Sequence, residues 1–431
     1  MTGAPFPWRM SWPQARALLL HVSRRQLTVG TAIALARGAG FVTGAIAART
    51  LGLAGFAVYT IGFTVFSSLM QLTSFADTWL VSRWADENRR AELMKGVWTI
   101  KAAAAAILTT LAIVLAFAVP TSLKRLGIDG LTLIIAVAAA GGAALTTALA
   151  SRYQAENRFL AYSAVLVFCP CSCVLLTTAL AAARTRSPAW YLGAVLISYA
   201  PTAWLAYRRL NSPTPDSGIA PPLVRDALRF GGWVTIGSLA YVLFQRIDVF
   251  VLAAVDPGPH VGTYGVATRF AAMAAVFGST ITALLMPAGS TGATWATSGA
   301  RRSYIAESVL SIALTSAALG IGVLAAPTLI RIAFGGEYIA AAGPTRILLL
   351  GQIVLIAQMP FYFALYGLKG ERWIAGLGLA QLLLSVLAAY GLIERYGLSG
   401  AAWSNLVTYG LGLAVVAVFH LTRKTRSGFG T

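Results

Sequence analysis

The feature that most constrains this chain is a recurring apolar run about 20 residues long, the length a helix needs to cross the hydrocarbon of a bilayer. Twelve such runs can be drawn, over roughly 27–48, 55–81, 97–119, 129–150, 159–183, 189–207, 230–254, 262–287, 304–330, 344–367, 374–393 and 398–422. Each is unbroken, whereas a transmembrane barrel shows alternation in pieces of about ten residues. Open sheet edges are excluded in lipid, where nothing satisfies their backbone groups. Composition agrees. The chain is 58% hydrophobic and 11% charged, with a mean hydropathy of +0.73. A soluble domain is about 45–50% apolar and about 25% charged. No cleavable leader is expected, because the first run is already span-length and lacks a small-residue cleavage pattern after a short core.

The formal charge of +19 comes from 33 Lys and Arg against 14 Asp and Glu. It reads as membrane topology and not as nucleic-acid binding, since the basic residues sit in short loops without a basic face or motif. One set of alternating loops, including Arg83, Arg89, Arg90, Lys95, Arg208, Arg209, Arg301 and Arg302, holds about three times the cations of the opposite set, such as Arg49, Lys124, Arg184 and Arg331. The richer set is expected to be cytoplasmic. Both termini then lie in the cytoplasm, which requires an even number of spans. Cys169, Cys171 and Cys173 read as small apolar residues of one helix. His21, His260 and His420 are far apart, so no metal or catalytic constellation is expected.

The chain also repeats itself. Ala118-Val119-Pro120-Thr121 is answered by Ala325-Ala326-Pro327-Thr328, Glu156-Asn157-Arg158-Phe159 by Glu371-Arg372-Trp373, and Gly193-Ala194 by Gly400-Ala401. The expected organisation is a cytoplasmic N-terminal segment (1–26), a six-helix lobe (27–207), a Pro-rich cytoplasmic linker (208–229), a second six-helix lobe (230–422) and a basic tail (423–431). Six spans per lobe make the repeats parallel, related by an axis along the membrane normal.

Ionisable residues inside spans are costly and mark function or pairing. Arg37 falls near the middle of span one, and Arg246 and Arg269 in the outer third of spans seven and eight. Asp248 is the only acid well inside a span, and Lys101 lies near the start of span three. Arg246 and Asp248 are two apart, so on a regular helix they point to nearly opposite sides. The three arginines read as lining a hydrated cavity that attracts an anion, or as snorkelling outward. Arginine suits a phosphate because its planar fork binds two oxygens and stays charged when partly desolvated. Asp248 reads as a static counter-ion in preference to a titrating acid. Gln71, Gln245, Gln352, Gln358, Tyr362 and Tyr366 read as core polar residues that can add sugar contacts, and Pro170, Pro201, Pro287 and Pro360 as places where spans can bend.

Several short motifs carry a family resemblance. Arg49-Thr50-Leu51-Gly52 is followed by Phe56-Ala57-Val58-Tyr59 and then Ala76-Asp77. In the second half, Ile247-Asp248 precedes Val261-Gly262-Thr263-Tyr264 with Arg269, and Phe334-Gly335-Gly336-Glu337-Tyr338 follows span nine. This resembles the Wzx-like polysaccharide flippases of the multidrug/oligosaccharidyl-lipid/polysaccharide exporter superfamily. Ala57 and Thr78 stand where that family usually has Gly. The resemblance implies an all-α polytopic membrane protein with twelve transmembrane helices in two parallel-related six-helix lobes around a central cavity, a MATE-like fold. It implies transport of a polyprenyl-pyrophosphate-linked oligosaccharide to the outer leaflet of a bacterial cytoplasmic membrane. Membrane lipids, a polysaccharide polymerase and glycosyltransferases are the implied partners of a monomer. No cofactor is implied beyond coupling to H+ or Na+. The site set is Arg37, Arg246, Arg269, Asp248, Arg49 and Asp77.

Rival readings fit less well. A drug/cation antiporter of the same superfamily usually needs an acid in the ion-binding lobe, and span one offers Arg37 instead. A major-facilitator transporter would carry two glycines that Ser82 to Arg90 lacks. A membrane glycosyltransferase or polymerase would need a large outer loop with paired carboxylates for acid–base work, and the outer loops here are short.

Overall fold

The structure, a computed structural model, describes residues 12–84, 90–210, 240, 242–290, 294–295, 297–367 and 371–426. They are almost entirely helical, with no strand among them. Helix α1 runs Trp12–Gln71, and Gly52 (φ 65°, ψ 179°) breaks it into two legs. That backbone conformation strains a residue with a Cβ, which is why glycine turns the chain there. The second leg stops at Leu72 and Thr73 and resumes as α2, Ser74–Arg83. Next come α3 (Arg90–Ala118), the single turn α4 (Pro120–Arg125), α5 (Gly130–Ala155), α6 (Phe159–Ala182) and α7 (Pro188–Leu210). Asp129 caps α5 by accepting from the Thr132 N–H at 3.2 Å.

The second half continues with α8 (Ile247–Val255), α9 (Pro259–Gly289), α10 (Ser298–Ala333), a 3-10 turn over Gly336–Ala341, α11 (Ala342–Gly367) and α12 (Glu371–Arg426). Gly397 (φ 54°, ψ −129°) divides α12 as Gly52 divides α1. Eight stretches of the described residues are long and apolar enough to cross a bilayer. Two of these, Thr28–Val81 and Gly376–Val418, contain the glycine breaks and are long enough for two spans each. Most of the expected linker, the start of span seven and the tail past Arg426 lie outside the described residues. Residues 12–26 continue α1 as helix.

One end of the bundle carries six tight turns, each with a left-handed residue: Gly52, Gly127, Arg184, Gly258, Gly335 and Gly397. Taken in order, the first three recur as the last three, so the two halves turn the chain by the same device. Within the first half, α5 sits centrally because it is built of small residues. A Cβ added at Gly130 or Gly141 would stand 2.9 Å from the Cβ of Ala116 or Ala105 on α3, so the helices approach closely. Outward, α3 and α10 present Phe117 and Leu324, each 79% exposed, as befits faces against acyl chains.

The halves meet along the second leg of α1 and the first part of α9. A Cβ on Gly262 would lie 2.3 Å from the Leu53 carbonyl oxygen, and one on Gly265 would lie 2.2 Å from Thr60 Oγ1. Phe41 packs edge-on against Phe270 (5.1 Å) and Phe334 (5.3 Å) across the same seam. Helices α6, α7 and α11 run through Pro170, Pro201 and Pro360 as single helices, and α9 runs through Pro287. The breaks inside spans fall at Leu72–Thr73 and Gln245–Arg246, where the sequence has no proline. Neighbouring helices can re-satisfy the backbone groups a proline frees.

Candidate functional site

Span seven is not a regular helix. Val242 to Phe244 are helical, Gln245 and Arg246 form a turn with the Arg246 N–H donating to the Leu243 carbonyl at 3.0 Å, and α8 begins at Ile247. This corrects the expectation that Arg246 and Asp248 face opposite sides, which assumed an unbroken helix. The turn re-aims the chain, and both residues border one cavity of about 410 Å³. Irregular backbone at membrane depth is tolerated where it lines such a space. Asp248 sits in the first turn of α8, where the helix dipole favours an anion.

The cavity lies between the halves. Arg37, Gln71 and Ser74 line it from the first, and Gln245, Arg246, Asp248, Thr268, Gln352, Asn405 and Tyr409 from the second. It extends toward Ser74 and Thr282, away from the glycine turns. Asp248 is 2% exposed. Its Oδ2 accepts from the Tyr264 hydroxyl and, at 2.6 Å, from Asn405 Nδ2. Among the described residues its Oδ1 has no hydrogen-bond partner. Arg37, Arg246 and Asp248 all border this one cavity. Yet among the described residues neither Arg37 nor Arg246 forms an ion pair.

The remaining sequence candidates are placed elsewhere. Arg269 is buried in the seam, its guanidinium 3.9 Å over the Phe63 ring and 5.5 Å from that of Tyr59, with Gly44 against its stem. This is a cation–π cage and not part of the cavity wall. Asp77 forms an ion pair with Lys101 at 2.7 Å. Arg49 lies at the glycine-turn end and donates to the Ile332 carbonyl. Gln71, Gln245 and Gln352 reach the cavity. Gln358 and Tyr362 instead form a chain with Gln381, in which the Tyr362 hydroxyl donates to Gln381 Oε1 at 2.9 Å. The Tyr366 side chain lies outside the described residues.

Sequence reasoning missed Asn405 and the partnership of Tyr264 with Asp248. An Asn within the apolar run 398–422 was the available signal. No group of three metal-ligating side chains occurs among the described residues.

Comparison with known proteins gives the same architecture. No curated protein sequence matches the chain. A multidrug resistance MATE family transporter of the MOP superfamily, solved in an inward-facing conformation, is 14% identical, covers 91% of this chain and 96% of its own, and superposes with a TM-score of 0.74. The lipid II flippase MurJ, inward closed, is 12% identical over 92% of this chain and 87% of its own, with a TM-score of 0.70. A MOP superfamily transporter from Pyrococcus furiosus is 12% identical over 93% and 95%, with a TM-score of 0.54. These likenesses establish the fold, that of an all-α, multi-pass membrane protein. The family model described as polysaccharide biosynthesis protein matches residues 25–291, well over half of the chain, and the chain accordingly belongs to that family.

Proposed function

We propose that the protein carries a polyprenyl-pyrophosphate-linked oligosaccharide from the cytoplasmic to the outer leaflet of a bacterial cytoplasmic membrane, its halves giving alternating access to the central cavity. The observation that carries this reading is the pair of arginines, Arg37 and Arg246, that border the cavity without a carboxylate partner among the described residues. A cation at membrane depth is retained for what it binds. Two guanidinium forks suit a pyrophosphate, and fixed positive charge lowers the cost of moving that head group through a low-dielectric region. Arg269, now caged by Phe63, joins them as the halves part. Gln71, Gln245 and Gln352 offer donors and acceptors to sugar hydroxyls. The polyprenyl tail stays in the bilayer. Both termini are cytoplasmic in this reading, and the protein works as a monomer beside glycosyltransferases and a polymerase.

A second reading, export of a drug or small metabolite coupled to H+ or Na+, draws on the unpartnered Asp248 Oδ1. The test is Arg37→Ala and Arg37→Lys, followed by surface-glycan output in cells at equal protein level. Loss of charge should lower output by about tenfold or more, as expected for losing a hydrogen-bonded charge contact. Arg37→Lys should retain part of the output. Full output from Arg37→Ala would defeat the anion-cavity reading. Drug efflux abolished by Asp248→Asn with glycan output intact would favour the second.

A further inference from the structure

Two hydrogen bonds cross the seam at the glycine-turn end. The Tyr338 hydroxyl, on the 3-10 turn of the second half, donates to the Ala48 carbonyl at 2.9 Å. The Arg49 guanidinium, on the first half, donates to the Ile332 carbonyl. Ala48 lies in the last turn before the Gly52 break, and Ile332 in the last turn of α10. Carbonyls at helix C-termini carry the negative pole of the helix and run short of intrahelical partners. Each half therefore caps a helix end of the other, through adjacent residues of the first half.

The surroundings make this contact close or fail as a unit. Tyr338 is fully buried and meets Phe56 edge-on at 5.9 Å. Nearby, Gly262 presses its backbone against the Leu53 carbonyl with no side chain between. A small separation of the halves would break both hydrogen bonds and the glycine contact together.

We propose that Tyr338 and Arg49 form a reciprocal helix-capping latch that holds the glycine-turn end shut while the cavity is open at the other. The latch is independent of the cargo, so its test needs none. The reporter is Ala57→Cys. Ala57 is 2% exposed and packs in one cluster with Val261 and Tyr264 of the opposite half. It is placed in the full-length protein with Cys169, Cys171 and Cys173 replaced by alanine. Maleimide labelling of the purified protein in nanodiscs reads the seam.

Labelling should be slow in the parent. It should quicken about fivefold with Tyr338→Phe, which removes one buried hydrogen bond, and about twofold with Arg49→Gln, whose bond is exposed. Gly262→Ala should give the fastest labelling, because its Cβ cannot sit against the Leu53 oxygen. Parental labelling rates in both Tyr338→Phe and Arg49→Gln would overturn the latch, even where unfolding temperatures fall, since the bonds would then be static packing. Arg49→Gln decides the matter alone if Tyr338→Phe does not fold.

Discussion

The two halves each place one acid inside the bundle, and they treat it in opposite ways. In the first half Asp77 meets Lys101, whose side chain is 0% exposed. The ammonium also donates to Thr147 Oγ1 at 2.6 Å and to the Ala144 carbonyl at 3.0 Å. All three of its donors are used, and the pair ties α2 to α3 and α5. In the second half Asp248 is held by neutral donors alone, Tyr264 and Asn405, at a break in its own helix and beside an arginine with which it forms no pair. An ammonium with every donor engaged, one of them on a carboxylate, is architecture. A charge left short of partners at the wall of a cavity costs stability and is kept for what passes by.

The contrast can be broken by substitution, and the largest effect is expected in the first half. Lys101→Met should lower stability by about 3 kcal/mol, the low end for a broken internal pair, because the Asp77 carboxylate it leaves without a cation is 18% exposed. Adding Asp77→Asn should recover much of this, both read as thermal unfolding in detergent. Equal stability of Lys101→Met and parent would make the pair incidental. Asp248→Ala should cost less, about 1–3 kcal/mol, through the orphaned Tyr264 hydroxyl and Asn405 amide. Tyr264→Phe should cost about 1 kcal/mol. Arg37→Ala should change unfolding by no more than about 0.5 kcal/mol, as for a substitution away from packed features, while reducing glycan output most. An Arg37→Ala protein that unfolds early would place that guanidinium with the structural charges of the first half.

Much of this molecule was legible before any coordinates. Unbroken apolar runs of span length point to the class, because lipid leaves the backbone only helix or closed barrel and a barrel strand would alternate. The motif glycines announced turns, and Gly52 does take a left-handed conformation where the first hairpin was read. Arg37, Arg246 and Asp248 were singled out by charge alone, since ionisable groups inside apolar runs are few. Other readings relied on local regularity and missed. Span seven was drawn as one helix, and no proline or glycine at Gln245–Arg246 warned of the turn. The prolines that drew attention sit in helices that continue through them.

Sequence spacing carries geometry only within one unbroken helix, where a period of 3.6 residues says which side chains share a face. It therefore determined the helical class and the residues too polar to sit in lipid without a reason. Which of those charges found partners was decided by packing between distant segments: Asp77 with Lys101 across two helices, Asp248 with an amide 157 residues away, and Arg269 in an aromatic cage of the opposite half. Apolar helices attract one another without direction, so only the close fit of small residues such as Gly262 and Gly265 set which faces met, and with them which charges were left to line the cavity.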